Sequence, residues 1–238
     1  MKPDVIISQP DNTDFPAWRD FIYQNRDHFN QVIVCICKAN ASPNLTNFLR
    51  EELTSHNIFV INQPNIGSGE SWYSKSVRES LRHAKSARIL FLEQDFIIWN
   101  KDFLPTVLAN KAPLIGFKDV YTRNDRLHPA FLLVDKAILE KTSMDFSVQN
   151  GLDHFGQFSR ELEALVPTVS LEEIGFKRDV DWEHLAGLTS NYYLVVSGGK
   201  PNHNPDRFVE YNKQLLDLPV TQCAEFFPYI KKAANHEF

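Results

Sequence analysis

Cysteine is scarce in this 238-residue chain, which contains only Cys35, Cys37 and Cys223. A small and odd number of cysteines excludes the disulfide framework that stabilises many small secreted domains. Cys35 and Cys37 alternate along an apolar run and would lie on one face of a strand, where Cys-x-Cys alone is a weak indication of a metal site. We therefore expect a protein that folds around a hydrophobic core in the reducing cytoplasm.

Positive charge is also in short supply. The chain has 25 lysines and arginines against 30 aspartates and glutamates, a net charge of −5. This balance gives no general electrostatic attraction to nucleic acid, so we expect no nucleic-acid partner. Five cations lie close together between residues 74 and 88, where a solvated helix face is favoured over a phosphate-binding or membrane-binding patch: Lys75, Arg78, Arg82, Lys85 and Arg88.

Long apolar runs and several catalytic motifs are missing. No run is long enough to span a bilayer, and Met1 to Asp4 opens no signal peptide, so we expect at most peripheral membrane contact, at the inner face. The sequence also lacks Gly-x-Ser-x-Gly, His-Glu-x-x-His and Gly-x-Gly-x-x-Gly. Their absence disfavours a serine hydrolase, a metalloprotease and a dinucleotide-dependent enzyme.

The first half of the chain alternates between strand and helix patterns. Strands are predicted at 5–8, 31–37, 58–61 and 88–92, and helices at about 15–25, 43–53 and 74–84. This alternation predicts an α/β fold with a parallel sheet and right-handed crossovers. In the second half we predict strands at 114–117, 130–134 and 169–174, and helices at 152–165 and near 208–215.

An acidic triplet, Glu93-Gln94-Asp95, directly follows the apolar strand at 88–92. Ligands of open α/β sheets bind at the carboxyl ends of the strands. Two carboxylates at alternate positions can point to one side and hold a hard divalent cation, which would in turn bind a phosphate-bearing donor. The alternative is a polar strand end without a ligand.

Several segments occur in the order found in a known family. Asn65-Ile-Gly67 precedes the helix at 74–84 and the acidic triplet, and the strand at 128–134 is followed by Met144-Asp145-Phe146; Leu152-Asp153 and a late His184 complete the series. Together these segments, within about 5–190, resemble a GT-A-fold glycosyltransferase of the inverting family-2-like group. The resemblance implies a GT-A-like (Rossmann-like), mostly parallel sheet flanked by helices, with a smaller mixed region on the acceptor side. It divides one domain into a nucleotide-sugar half (1–100), an acceptor half (101–205) and a helical tail (206–238).

The resemblance also implies roles for individual residues. Asp153 would be the catalytic base, with a plain helix N-cap as its alternative. Asp95, Glu93 and His184 would bind Mn²⁺ or Mg²⁺, and the nucleotide-sugar donor would contact Pro10, Asp11, Asn40, Asn65, Gly67, Glu93 and Gln94. The acceptor would be a carbohydrate or a glycolipid. The sequence departs from the family pattern at three positions, which hold Glu93 in place of the first aspartate, Leu152 in place of an acidic residue and Asn40 where an aspartate is usual.

Two other functions remain open at this stage. A sugar nucleotidyltransferase also uses an α/β sheet with metal-binding carboxylates, but usually carries a glycine-rich phosphate loop after its first strand, where this chain has Gln9-Pro-Asp-Asn-Thr13. The second open function is that of a binding or scaffold module built on a catalytically degenerate GT-A domain. The departures from the family pattern at Glu93 and Asn40 keep this alternative open.

Overall fold

The computed structural model describes residues 2–9, 25–37, 58–63, 70–93, 96–98, 100–118, 126–146, 155–178 and 180–184. Within these ranges the strands are β1 (Asp4–Gln9), β2 (Gln31–Cys37), β3 (Ile58–Gln63), β4 (Arg88–Leu92), β5 (Phe96–Ile98), β6 (Leu114–Lys118), β7 (Leu127–Asp135), β8 (Val169–Ser170) and β9 (Trp182–His184). The α-helices are α1 (Glu70–His83), α2 (Phe103–Ala109), α3 (Lys136–Leu139), α4 (Gly156–Leu165) and α5 (Leu171–Ile174), with a 3-10 turn at Arg26–His28.

Seven of these strands form one sheet in the order β3-β2-β1-β4-β7-β6-β8. Strands β3, β2, β1 and β4 are parallel neighbours, as predicted for the first half of the chain. Strand β7 runs antiparallel to both β4 and β6, whereas β6 and β8 are parallel. The mostly parallel α/β sheet with a mixed second half is therefore confirmed. Strands β5 and β9 pair antiparallel in a separate two-stranded sheet.

The core lies in two layers, one on each face of the large sheet. Successive side chains of a strand point to opposite faces, so Leu90 and Leu92 of β4 join one layer while Ile89 and Phe91 join the other. The first layer also contains residues of α2, β5, β9 and α5, and the second contains residues of α1, α3 and α4. Burial on both faces explains why the central strands are continuous apolar runs.

Several element boundaries differ from the prediction. Helix α1 begins at Glu70 rather than near 74, and α4 begins at Gly156 rather than 152. The predicted strand at 169–174 is wrong beyond Ser170, because Ser170 and Glu173 form a capping box that starts α5. The predicted helices at 15–25, 43–53 and 208–215 lie outside the described residues.

Helix α2 and the β5–β9 sheet are elements that the sequence patterns did not indicate. Each of the strands is three residues long and α2 has seven, which is too short for a clear periodicity. In the part of the chain that the structure describes, no helix is long and apolar enough to cross a membrane.

Candidate active site

The predicted donor-site segments all follow strands that end at one edge of the sheet. Because β3, β2, β1 and β4 are parallel and in register, with Cys37 opposite Gln63 and Ile7 opposite Leu92, their carboxyl ends lie at this edge. Pro10 follows β1 directly, Asn40 and Asn65 follow β2 and β3 within a few residues, and Glu93 follows β4. The carboxyl edge is therefore the candidate active site, as expected for an open α/β sheet.

Glu93 is half-buried and lies where the chain leaves the large sheet. Its N–H donates to the Ala130 carbonyl oxygen (3.0 Å), and its own carbonyl oxygen accepts from the Phe96 N–H (3.2 Å). A hydrogen bond from residue i+3 back to residue i is typical of a tight turn rather than of a continuing strand. Strand alternation, from which we inferred two carboxylates on one side, therefore does not extend past Leu92.

The small β5–β9 sheet brings His184 to the same place. Phe96, which follows Asp95 in the chain, has His184 as its Cα partner, and Ile98 has Trp182. Directly opposed residues of antiparallel strands have Cα atoms about 4.5–5.5 Å apart. The backbone at His184 is thus held opposite the residue that follows the acidic triplet, although 91 positions separate His184 from Glu93 in the sequence.

An aromatic wall closes one side of this edge. Trp182 is fully buried, stacks on Phe96 (ring centroids 5.3 Å apart, planes at 19°) and contacts Phe117 (4.8 Å). The guanidinium of the half-buried Arg178 lies 5.0 Å from the Trp182 ring and 5.3 Å from the Phe117 ring, within range of a cation–π interaction. Burial makes Trp182 a packing residue, which is the commoner use of tryptophan.

His128 also contacts Phe117 and lies at an irregularity in β7. Between two register pairs, Gly116–Leu132 and Lys118–Leu127, two steps along β6 correspond to five along β7. Pro129 cannot donate a ladder hydrogen bond, and bulges are common beside active sites. The His128 Nδ1 accepts from the Ala130 N–H (3.1 Å) and its ring stacks on Phe117 (5.5 Å), so the neutral imidazole carries its proton on Nε2.

The amino end of α4 also lies at the carboxyl edge. The Ser159 hydroxyl in its first turn donates to the carbonyl oxygen of Leu127, the first residue of β7, at the carboxyl edge (2.9 Å). The N-cap position is occupied by Phe155, which is buried and has a left-handed backbone (φ 76°). Asp153 lies two positions before this N-cap in the sequence and outside the described residues, so both its base role and the cap alternative stay predictions. A left-handed backbone is strained and uncommon for a residue as large as phenylalanine. Here it is maintained by contacts of the Phe155 ring with Phe91, Phe146 and Phe158.

The structure places only part of the predicted site set. Glu93 is described in full and His184 by its backbone. The others lie outside the described residues: Pro10, Asp11, Asn40, Asn65, Gly67, Gln94, Asp95 and Asp153. Among the described side chains, no three or more of histidine, cysteine, aspartate and glutamate cluster closely enough to hold a metal ion.

Solved structures share this architecture. A mannosyltransferase from Pyrobaculum calidifontis, solved with GDP-Man and Mn²⁺, matches with a TM-score of 0.55 and 13% identity, over 91% of this chain and 65% of that one. The 1–349 segment of S. aureus TarS matches with a TM-score of 0.52 and 15% identity, over 100% of this chain and 79% of that one. The chain has a GT-A-like fold. At identities this low the likeness establishes the fold alone, and the chain spans less than two thirds of the mannosyltransferase.

A nucleotidyltransferase shares the GT-A-like fold as well. The inositol-1-phosphate CTP transferase from T. maritima matches with a TM-score of 0.50 and 9% identity, over 82% of this chain and 95% of that one. No protein-family model and no curated protein sequence matches the chain. The fold is thus compatible with more than one kind of transferase.

Sequence reasoning missed two side chains that lie at the candidate site, His128 and Arg178. A His-Pro pair inside the apolar run at 127–134 was an available signal, because proline interrupts the ladder of an inner strand. Gly116 on the neighbouring strand was a second signal, because a glycine inside a strand often marks a close approach of another backbone or side chain. In the structure, a Cβ at Gly116 would lie 3.0 Å from the Leu132 side chain. Arg178 carried no signal, because its position depends on a contact with Phe117, 61 positions away.

Proposed function

We propose that this protein is a metal-assisted glycosyltransferase that moves a sugar, with inversion, from a nucleoside-diphosphate sugar to a hydroxyl group of a carbohydrate or glycolipid acceptor. The observation that carries the proposal is the β5–β9 pairing. It holds His184 against the residue that follows Glu93-Gln94-Asp95, at the carboxyl edge of a GT-A-like sheet. A cation-binding set assembled from distant parts of the chain at this edge is what a diphosphate-bearing donor requires.

The residue types fit a divalent cation. Carboxylate oxygens suit Mg²⁺ and Mn²⁺, and an imidazole nitrogen is a common additional ligand for transition metals such as Mn²⁺. Glu93, Asp95 and His184 would hold the ion, which would neutralise negative charge on the departing diphosphate. Without the ion, the two carboxylates would repel the diphosphate at short range.

Asp153 would take the proton of the acceptor hydroxyl. The first turn of α4 is anchored to Leu127 through Ser159, and Phe155 is fixed by its aromatic neighbours, so α4 begins at the carboxyl edge. Asp153, two positions before Phe155 in the sequence, would serve the acceptor side of the donor sugar. General-base assistance of this kind typically contributes about 10²–10⁴-fold to the rate.

Metal-dependent nucleotide binding is the first test. We expect GDP or UDP to bind in the presence of Mn²⁺ and to lose most of that affinity in excess chelator, and Asp95→Asn to reproduce the loss with the fold intact. Isothermal titration calorimetry measures both effects. Nucleotide binding of equal strength in chelator would contradict the metal site, and no binding of any nucleotide would favour the scaffold alternative.

The base and the metal set are separable. Asp153→Asn should reduce glycosyl transfer by about 10²–10⁴-fold while leaving the affinity for Mn²⁺ and nucleotide unchanged, because the amide cannot accept a proton at neutral pH. Single-turnover transfer from a panel of radiolabelled nucleotide-sugars measures the rate. Normal transfer in this variant would show that another residue is the base. The half-buried Asp145, two residues after Ser143, is then the next candidate.

A sugar nucleotidyltransferase is the second candidate, because the T. maritima CTP transferase, which this chain covers almost completely, has the same fold. The segment after β1, which has no glycine between Gln9 and Thr13, argues against it. Release of pyrophosphate from a nucleoside triphosphate and a sugar phosphate would establish this activity, whereas release of a nucleoside diphosphate establishes transfer.

A further inference from the structure

Asn100 and Asp181 form a hydrogen-bonded junction at the far end of the β5–β9 sheet. The Asn100 Nδ2 donates to Asp181 Oδ1 (2.7 Å), and the Asn100 backbone N–H donates to the Asp181 carbonyl oxygen (3.1 Å). The second carboxylate oxygen of Asp181 accepts from the Lys177 N–H (2.7 Å), and Asn100 Oδ1 accepts from the Asp102 N–H (2.9 Å). Two loops 81 residues apart are thereby joined through both side chains and both backbones.

The junction matters because the sheet it terminates is small. Strands β5 and β9 share three residue pairs, and an isolated two-stranded sheet is marginally stable in water. Its other anchors are the Phe96–Glu93 hydrogen bond and the ring contacts of Phe96 and Trp182 with their aromatic neighbours and Arg178. The Asn100–Asp181 junction adds hydrogen bonds directly before β9.

We propose that Asn100 and Asp181 are positioning residues for the cation: their junction fixes β9 on β5 and so holds the backbone of His184 opposite Phe96, the residue that follows the acidic triplet in the sequence. The inference rests on the proposed function, since it assumes that His184 binds the metal ion. Asp181 acts as the ionised acceptor, because the Lys177 N–H and the Asn100 amide lower its pKa.

The pair permits an exchange experiment. Asp181→Asn places two amide groups against each other, and Asn100→Asp places two carboxylates against each other. In the double variant the side chain at 181 donates to the carboxylate at 100, which reverses that hydrogen bond, while both side chains still accept from the Lys177 and Asp102 N–H groups and the net charge is unchanged. Binding of Mn²⁺ alone is followed by electron paramagnetic resonance, and protection of the β5 and β9 amides by hydrogen exchange.

We expect each single variant to weaken Mn²⁺ binding about tenfold, the lower end of the effect of groups that orient metal ligands, and the double variant to recover to within about twofold. Amide protection in β5 and β9 should fall and recover in parallel. Glu161→Gln is the matched control: it removes the same charge from a carboxylate that accepts from the Ser143 N–H (2.7 Å) and the Gln157 amide (3.2 Å), outside the small sheet. This control should bind Mn²⁺ as the unmodified protein does.

His184→Ala separates the two levels of the proposal. If His184→Ala weakens Mn²⁺ binding and the junction variants do not, the positioning role is wrong while the proposed function stands. If His184→Ala binds Mn²⁺ normally, the proposed metal set is wrong and the positioning role is wrong with it. Should either exchange variant fail to fold, Asn100→Ala removes the amide without opposing like charges, and normal Mn²⁺ affinity in that variant overturns the inference.

Discussion

At the residue scale, Asp4 shows that a buried carboxylate can be structural rather than catalytic. It is fully buried at the amino edge of the sheet, opposite the candidate site. One carboxylate oxygen accepts from the Asn30 amide (2.7 Å) and the Ser86 hydroxyl (2.9 Å), and the other from the Gln31 amide (2.9 Å) and the backbone N–H groups of Lys85 and Ser86. Asp4 therefore joins β1, β2 and the turn between α1 and β4.

Asp4→Asn should destabilise the protein by roughly 2–4 kcal/mol. The amide NH₂ group would replace one accepting oxygen and would face the N–H donors that this oxygen binds in a buried position. The midpoint of urea unfolding measures the change. Asp27→Asn, the same substitution at an exposed residue of the nearby 3-10 turn, is the control and should alter stability by no more than about 0.5 kcal/mol. An equal effect of the two substitutions would contradict the role of Asp4.

The pH dependence of this effect has a definite sign. Burial opposes ionisation of Asp4, but the hydrogen bonds from Asn30, Ser86, Gln31 and Lys85 outweigh it and lower the pKa. A lowered pKa in the folded state contributes stability that is fully present above the unfolded value of about 3.9 and is lost as the pH falls through the folded value. The stability difference between the unmodified protein and Asp4→Asn should therefore narrow below about pH 4.

At the scale of elements, Arg88 fastens the start of β4 to α2. Its guanidinium donates to the carbonyl oxygens of Asn110 (2.9 Å) and Ala112 (2.8 Å) just after this helix and pairs with Asp135 of β7 (3.1 Å). We had grouped Arg88 with the solvated cations of the preceding helix. The structure instead leaves Lys75, Arg78, Arg82 and Lys85 exposed and encloses Arg88 in this contact.

Arg88→Lys should cost about 2–3 kcal/mol of stability although it keeps the charge, since an ammonium cannot serve several acceptors in the fixed geometry of a guanidinium. Thermal unfolding followed by circular dichroism is the measurement. Arg82→Lys is the control on an exposed ion pair with Glu79 and should change stability by about 0.5 kcal/mol or less. A similar response of both variants would show that the forked contact contributes little.

The small elements of the site are decided by their surroundings. Helix α2 and strands β5 and β9 have no periodic pattern long enough to predict, and each is defined by what it packs against. Phe96 stacks on Trp182, and Phe103 packs edge-on against Phe131 of β7 (5.3 Å). Their sequences are compatible with several local structures until these distant rings select one.

At the scale of the whole molecule, the sheet combines two kinds of strand order. In the parallel half, sequence-adjacent strands β1, β2 and β3 lie side by side, whereas β7 inserts between β4 and β6 with the opposite direction. As a result, the carboxyl edge gathers the ends of four parallel strands, the start of β7 and the first turn of α4. Residues from both halves of the chain therefore meet at one edge, which a two-substrate transferase requires.

The sequence by itself determined the alternating α/β architecture, the strands at 31–37 and 88–92 and the edge at which the acidic triplet emerges. Those features depend on local patterns: continuous apolar runs, helix periodicity and the rule that parallel strands expose their carboxyl ends together. Only the tertiary structure decided that β7 is antiparallel to β4, that His184 is paired with Phe96, and that Arg178, His128 and the Asn100–Asp181 junction lie around the candidate site. Each of those depends on pairing between segments far apart in the chain, and a local pattern carries no information about which distant strand completes a register.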